Sequence, residues 1–383
     1  MDDPIELAAA EEAERLALVN SIEETRGYPL VANVRRALLA VSRAHFVPHY
    51  CRQEQPGIWV RDEARPLVYR DQALVTRVDE KGRPLSSSSM PSIMAAMLEA
   101  LAVQPGMHVL EIGTGTGYNA ALLAELVAPG GQVVTLDIDA ELTTLATERL
   151  RLAGYGRRVQ VVTADGLQGY PPAAPYERII ATGSYPRIPS AWCEQLAPQG
   201  VLVGDLVRPL TTPLFRLVKV GPRCLEGRLL PTPAFFMELR ETEPLTGSPR
   251  QRAPVRDPWQ TLPRVEEAET DLEGYELLYE PAFALWLELH LPGVERRLYP
   301  LPGSGKSRLL GTGLLWQESL LLLWPDAEGP RPARWRVEVY GTVPLWSRVQ
   351  RLHEQWLAVG APSLEAYALE VAADGSYLLH LST

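Results

Sequence analysis

From Pro4 to about Val47 apolar residues return at helical spacing, as in Val34, Ala37, Leu38 and Val41. Gly27-Tyr28-Pro29 interrupts this run, so a helical N-terminal layer of two helices is predicted, followed by further layer residues to about 90. Residues 91–102 read as another helix, with Pro91 in the first turn and Met94, Met97, Leu98 and Leu101 on one face. Beyond Pro105-Gly106 short apolar runs alternate with helical stretches. Val109 to Ile112, Val133 to Leu136, Val159 to Val162, Ile179 to Ala181 and Gly200 to Val203 are the strand candidates. Asn119 to Val127, Ala140 to Ala153 and Pro189 to Leu196 are the helices between them. Such alternation predicts βαβ units and a mostly parallel sheet with right-handed crossovers.

After about residue 240 the pattern changes. Pro244, Gly247, Pro249, Pro254, Pro258 and Pro263 stand among charges, which predicts a linker over 241–270 between a first domain, 1–240, with its core at 91–240, and a C-terminal α+β domain, 271–383. In that last part Tyr275 to Leu291, Leu309 to Trp324 and Trp335 to Tyr340 read as strands and turns, and Val343 to Val359 as a helix. Asp374-Gly375 between two apolar runs signals a hairpin. Six of the nine Trp lie there: Trp286, Trp316, Trp324, Trp335, Trp346 and Trp356. Core packing accounts for them, and an aromatic surface that holds a peptide is the alternative.

The length of 383 residues agrees with two domains at roughly 100–200 residues each. Apolar residues form 46% and charged residues 22%, which excludes a disordered or fibrous chain. The net charge of −10, with no basic cluster, argues against a nucleic-acid backbone binder. No apolar stretch approaches the ~20 residues that span a bilayer, and Met1-Asp2-Asp3-Pro4 is acidic where a targeting segment would be basic, so a cytoplasmic protein is expected. Cys51, Cys193 and Cys224 are too dispersed for a metal site or a disulfide framework. His45 and His49 are four apart, but Pro48 intervenes and no H-E-x-x-H pattern forms, so no metal is expected.

The strongest chemical signal is Val109-Leu110-Glu111-Ile112-Gly113-Thr114-Gly115-Thr116-Gly117, a strand feeding G-x-G-x-G just before a helix. Glycines there let the backbone pass close to a ligand. The pattern departs from the dinucleotide fingerprint, whose last glycine would fall at Tyr118. Asp137, with Ile138 after it, ends the next strand about twenty residues on, where a carboxylate can accept both ribose hydroxyls. Asp165-Gly166 ends the third, suited to an exocyclic adenine amine. Together these resemble the methyltransferases that use S-adenosyl-L-methionine, and the fold class expected is α/β with a Rossmann-like domain. Gly303-Ser304-Gly305-Lys306-Ser307 has only the tail of a phosphate-binding loop, since its first glycine would be Pro300.

Upstream, Phe46-Val47-Pro48, Tyr69-Arg70-Asp71 and Ser89-Met90-Pro91 stand in order before the glycine loop. Downstream come Asp165 to Tyr170, Pro175-Tyr176, Ile179 to Thr182, Ile188-Pro189, and Gln195-Leu196 with Gly200. With these motifs, residues 20–220 resemble the protein-L-isoaspartate O-methyltransferase family. Carried over by position, the resemblance implies that Ser89 is the active-site serine. It implies cofactor contacts at Glu111, Gly113, Gly115, Gly117, Asp137, Ile138, Asp165 and Gly166, and substrate contacts at Ser87, Ser88 and Thr182. The family usually has Thr-Ile-Ser at 87–89, and Asp79 to Arg83 is an extra polar insert here. The extended C-terminal part resembles, in layout, bacterial relatives associated with ribosomal peptide pathways.

The activity so implied is carboxyl O-methylation of an isoaspartyl or aspartyl residue in a peptide or protein, the ester then closing to a succinimide. A carboxylate whose ordinary pKa is about 4 is already ionised at neutral pH and needs no general base, in agreement with the absence of a His in the loop. The serine run also reads as plain capping of helix 91–102. The alternatives are a methyltransferase-like peptide-binding protein without turnover and a nucleic-acid methylase. The latter lacks its Asn/Asp-Pro-Pro-Tyr element, the segment being Ile180-Ala181-Thr182-Gly183-Ser184.

Overall fold

A computed structural model describes residues 4–55, 58–65, 67–222, 224–237, 239, 261–300, 310–325, 334–372 and 374–382. The N-terminal layer opens with α1 (Pro4–Arg26), α2 (Ala32–Ala40) and α3 (Arg43–Phe46). α2 buries Val34, Ala37 and Leu38, the stripe that its spacing gives, and the Ser42 hydroxyl caps α3 by accepting from the His45 amide. The expectation that this layer is helical as far as residue 90 is corrected. Two antiparallel hairpins follow, β1 (His49–Gln55) with β2 (Ile58–Glu63) and β3 (Leu74–Val78) with β4 (Pro84–Ser88). β1 and β2 are about half exposed and mostly polar, so no apolar alternation marks them. The polar insert is the turn closing the second hairpin, where Asp79 Oδ1 accepts from the amides of Lys81 and Arg83.

The core runs α4 (Pro91–Leu101), β5 (His108–Ile112), α5 (Tyr118–Leu126), β6 (Gln132–Asp137), α6 (Ala140–Leu152), β7 (Val159–Thr163), β8 (Tyr176–Ala181), α7 (Ser190–Gln195) and β9 (Leu196–Asp205). β10 (Pro213–Gly221) and β11 (Cys224–Pro233) then fold back antiparallel. The central positions of the parallel strands are mainly apolar and buried, as the sheet packs against α4, α5 and α6.

The C-terminal part comprises β12 (Arg264–Asp271), α8 (Leu272–Leu277), α9 (Pro281–His290), β13 (Glu295–Pro300), β14 (Leu310–Trp316), β15 (Ser319–Pro325), β16 (Arg334–Tyr340), α10 (Leu345–Ala358), β17 (Tyr367–Val371) and β18 (Tyr377–Leu381). Three expectations change here. The end of the expected linker is strand β12; residues 241–260 and the Gly303 to Ser307 loop lie outside the described residues. Tyr275 to Leu291 is helical, not strand: Pro281 starts α9, the Glu280 carboxylate accepts from the Phe283 amide, and Ala282 to Leu287 are all buried. A helix buried on every side shows no periodicity that separates it from a strand.

The third change concerns the domain division. β17 pairs with β11, and the nine-stranded sheet has the order β18-β17-β11-β10-β9-β8-β5-β6-β7. β17 and β18 therefore complete the first sheet. β12-β16-β15-β14-β13 form a separate antiparallel sheet, yet one apolar core runs from Leu110 in β5 through Trp286, Trp316, Trp335, Trp346 and Trp356 to Val371. The Arg208–Glu288 ion pair, 2.6 Å long, crosses the same seam, and Glu288 also accepts from the amides of Leu210 and Thr211. The C-terminal tryptophans are core residues, and Trp335 stacks on Tyr275 at 3.6 Å.

Candidate active site

In the sheet, β5 lies between β6 and β8, so the chain leaves β5 at the point where the connections reverse direction. Crevices at the carboxyl ends of strands open at such points. One does here, lined by Ser86 to Ser89, Gly113 to Thr116, Tyr118, Asn119, Asp137, Ile138, Gly166, Thr182, Gly183, Phe236, Met237 and Leu239.

Its floor is the turn 113–117. Gly113 has φ +99°, and a Cβ there would come within 2.8 Å of Thr182 Oγ1, so no other residue fits without strain. The Thr182 hydroxyl donates to the carbonyls of Ile112 and Gly113, while the amides of Gly113 and Thr114 donate to Leu136 O. Asp137 sits across the turn. Its Oδ2 accepts from the Gly115 amide at 3.0 Å and its Oδ1 from the Asp139 amide at 3.1 Å. Each oxygen can accept more than one hydrogen bond, so a carboxylate that fixes the turn can also take hydroxyls from the cleft.

Glu111 is placed differently from the other residues considered. Its carboxylate lies wholly buried beneath the turn, accepting from Asn119 Nδ2 at 2.7 Å and Thr135 Oγ1 at 2.6 Å; Thr114 in turn donates to Thr135. Burial pushes its pKa up to about 7, the charge on Asp137 adds to this, and the bonds from Thr135 and Asn119 oppose it. Glu111 thus joins β5, β6 and α5 under the turn and does not line the cleft. Gly117 starts α5 and Asp165 accepts from the Leu167 amide, and neither side of the cleft includes them. Gly166 does face it. A Cβ there would meet Ile112 at 2.5 Å, and its carbonyl accepts from Trp192 Nε1.

The β3–β4 hairpin forms the roof. Arg77 binds both oxygens of Asp139 at 3.0 and 3.1 Å and Glu141 at 2.7 Å, which ties the hairpin to the start of α6. β4 then delivers the serines. Ser86 accepts from Thr76, and Ser88 Oγ accepts from Arg43 Nε. α4 begins just beyond, yet no serine caps it. Met90 holds the cap position without a side-chain bond, and the Ser92 amide donates instead to Asp71 Oδ1. Sequence reasoning did not find Arg43 or the wall formed by Phe236, Met237 and Leu239. That wall is held by three bonds with Ser184, from its amide to Met237 O, from its hydroxyl to Phe236 O and from the Leu239 amide to its carbonyl, a pairing across more than fifty residues that leaves no local signal. Among the described residues no group of three or more His, Cys, Asp or Glu is gathered for a metal, and His45 Nε2 is engaged with Arg149 O. No helix among them is long and apolar enough to cross a membrane.

The cleft therefore offers a close-approach backbone turn, a carboxylate at the end of the second strand and a glycine at the end of the third, which fits an adenosyl group with its sulfonium. Comparison with known proteins agrees. A protein-L-isoaspartate O-methyltransferase from Hyperthermus butylicus is 37% identical over 235 residues, 60% of this chain and 88% of its own length. One from Ignicoccus hospitalis is 36% identical over 234 residues, 61% of this chain and all of its own. A solved structure called protein-L-isoaspartate O-methyltransferase superposes with a TM-score of 0.55 over 96% of this chain and all of its own, at 23% identity, so the likeness in fold extends into the C-terminal part. The profile of the protein-L-isoaspartate(D-aspartate) O-methyltransferase family matches residues 14–221, more than half of the chain. With the α/β fold and cleft of an S-adenosyl-L-methionine-dependent methyltransferase, the chain belongs to this family.

Proposed function

We propose that the chain methylates the side-chain carboxylate of an isoaspartyl or aspartyl residue in a peptide or protein. The observation that carries this reading is that Ser87, Ser88 and Ser89 line the same cleft as the glycine turn and Asp137. When bound, S-adenosyl-L-methionine supplies a methyl group on a positively charged sulfur. The turn 113–117 would let the cofactor approach the backbone, Asp137 would accept its ribose hydroxyls, and Ile138 and Gly166 would hold its adenine side. Thr182 and Glu111 keep the turn in shape from either side.

The serines and the first turn of α4 orient the other reactant. In-line displacement demands alignment more than acid–base help, because the carboxylate is already ionised. The Ser89 hydroxyl can donate to it, and the amino end of α4 favours its negative charge. Among the described residues no other group hydrogen-bonds the Ser89 hydroxyl. The methyl ester would then leave the cleft and close to a succinimide by attack of the next backbone nitrogen on the ester carbon, the methoxy group leaving with the N–H proton as methanol, a step that asks nothing of the protein. A peptide of dedicated sequence, modified by an enzyme extended at its C-terminus, is the finer form of this reading.

Incubation with methyl-labelled cofactor and an isoaspartyl peptide, and separately its aspartyl counterpart, tests it. Base-labile label on at least one supports the reading; no transfer to either removes it.

A further inference from the structure

Arg43 is fully buried, and among the described residues no carboxylate lies within ion-pair distance of its guanidinium. A buried charge is expensive unless its donors are satisfied, and here its hydrogen bonds all go to oxygens of two chain segments, with the Tyr118 ring 6.0 Å from the guanidinium carbon. Nη1 donates to Val68 O at 2.8 Å and Arg70 O at 3.2 Å, and Nη2 to Gln72 O at 3.0 Å. The remaining bonds converge on the serine corner: Nε to Ser88 Oγ at 3.2 Å, and Nη2 to Ser89 O at 3.0 Å and Ser88 O at 3.4 Å. The segment 68–72 that it holds contains Asp71, the residue that accepts from the Ser92 amide in the first turn of α4.

Two consequences follow from this geometry. Ser88 Oγ accepts a hydrogen bond from Arg43 Nε, so its own hydroxyl proton is left to donate toward the cleft. The carbonyls of Ser88 and Ser89 are turned back into the protein, which leaves the side chain of Ser89 on the cleft side. We infer that Arg43 is a positioning residue for methyl transfer, fixing the Ser88–Ser89 corner so that its hydroxyls face the substrate carboxylate. This rests on the function proposed above.

Arg43→Lys keeps the stem and the charge but loses the planar fork that reaches both segments. In the full-length protein it should lower kcat for the isoaspartyl or aspartyl peptide at least tenfold while the Kd for S-adenosyl-L-methionine stays within twofold. Combined with Ser88→Ala, the loss should be less than the product of the two separate losses, because both act through one corner. Hydrogen exchange gives a readout that needs no turnover. Amides at 86–92 should exchange at least tenfold faster in Arg43→Lys, with those of α5 unchanged. If the wild type transfers no methyl, the proposed function fails and the exchange experiment still decides the role of Arg43. Unchanged exchange at 86–92, multiplicative losses, or a parallel loss of cofactor affinity would overturn it. Arg43→Met, which leaves no charge to bury, replaces Arg43→Lys if the latter does not fold, and failure of both to fold would reassign Arg43 to stability alone.

Discussion

Replacing Glu111 by Gln should make the protein more stable above neutral pH, not less. In the folded chain burial holds the Glu111 proton until about pH 7, against a value of 4.5 for an exposed glutamate. Between these values the unfolded chain binds fewer protons than the folded one, so the Glu111 contribution to stability falls as pH rises through that window. A span of about 2.5 pH units at about 1.4 kcal/mol each comes to ~3 kcal/mol, fully felt above pH 7 and absent below about pH 4.5. Gln removes the titration and keeps the shape. It would present an N–H where Glu111 accepts from Asn119, but Asn119 Oδ1 is buried without a partner, so a flip of the Asn119 amide supplies an acceptor. The lost charge-assisted bonds offset part of the gain, leaving roughly 1–2 kcal/mol in favour of Glu111→Gln at pH 8. Urea unfolding of both proteins at pH 5, 6, 7 and 8 measures this as a difference, in which other titrating groups cancel. Curves that stay parallel from pH 5 to 8, or a variant that is less stable at pH 8 than at pH 5 relative to wild type, would refute the reasoning.

Ser89→Ala should lower turnover at least tenfold with cofactor affinity unchanged, as read by calorimetry beside a transfer assay; an equal loss in both would move Ser89 to the cofactor. Asp137→Ala should weaken S-adenosyl-L-methionine binding by ~1–3 kcal/mol, since it removes a charged acceptor and also releases the Gly115 amide. Unaltered affinity would take Asp137 off the ribose. Glu288→Ala strips the half-buried Arg208 of its carboxylate and the amides of Leu210 and Thr211 of their acceptor, and should cost about 3 kcal/mol by denaturant unfolding, because the pair joins the loop after β9 to helix α9. A cost below about 0.5 kcal/mol, as for an exposed pair, would show that the seam carries little.

The parallel half of the sheet was legible because its strands are buried on both faces and its helices carry ordinary boundary signals, such as Pro91 and the Asp139 cap of α6. Gly113, Gly115, Gly166 and Asp137 could be placed at the cleft for a related reason: close approach and strand-end placement leave a mark in a short window, though Gly117 lies outside the lining. What stayed hidden depends on distance along the chain. Nothing around Leu369 says that β17 will pair with β11, some 140 residues earlier. Nothing around Arg43 says that its partners lie 25 to 46 residues away. Glu111 was visible as a residue of the motif, but the sequence does not tell which face of β5 its side chain takes, and the partners Asn119 and Thr135 place it inward. The exposed hairpin β1–β2 and the all-round apolar α9 lack the periodicity on which such reading depends.

The central claim is that the turn 113–117 and Asp137 hold the cofactor directly beside a carboxylate oriented by the serines. A crystal structure of the protein with S-adenosyl-L-homocysteine and an isoaspartyl peptide tests it most directly. The ribose should lie on Asp137, the sulfur over the glycine turn and the peptide carboxylate within hydrogen-bond reach of Ser89. A nucleoside bound elsewhere, or a carboxylate directed away from both Ser88 and Ser89, would contradict it.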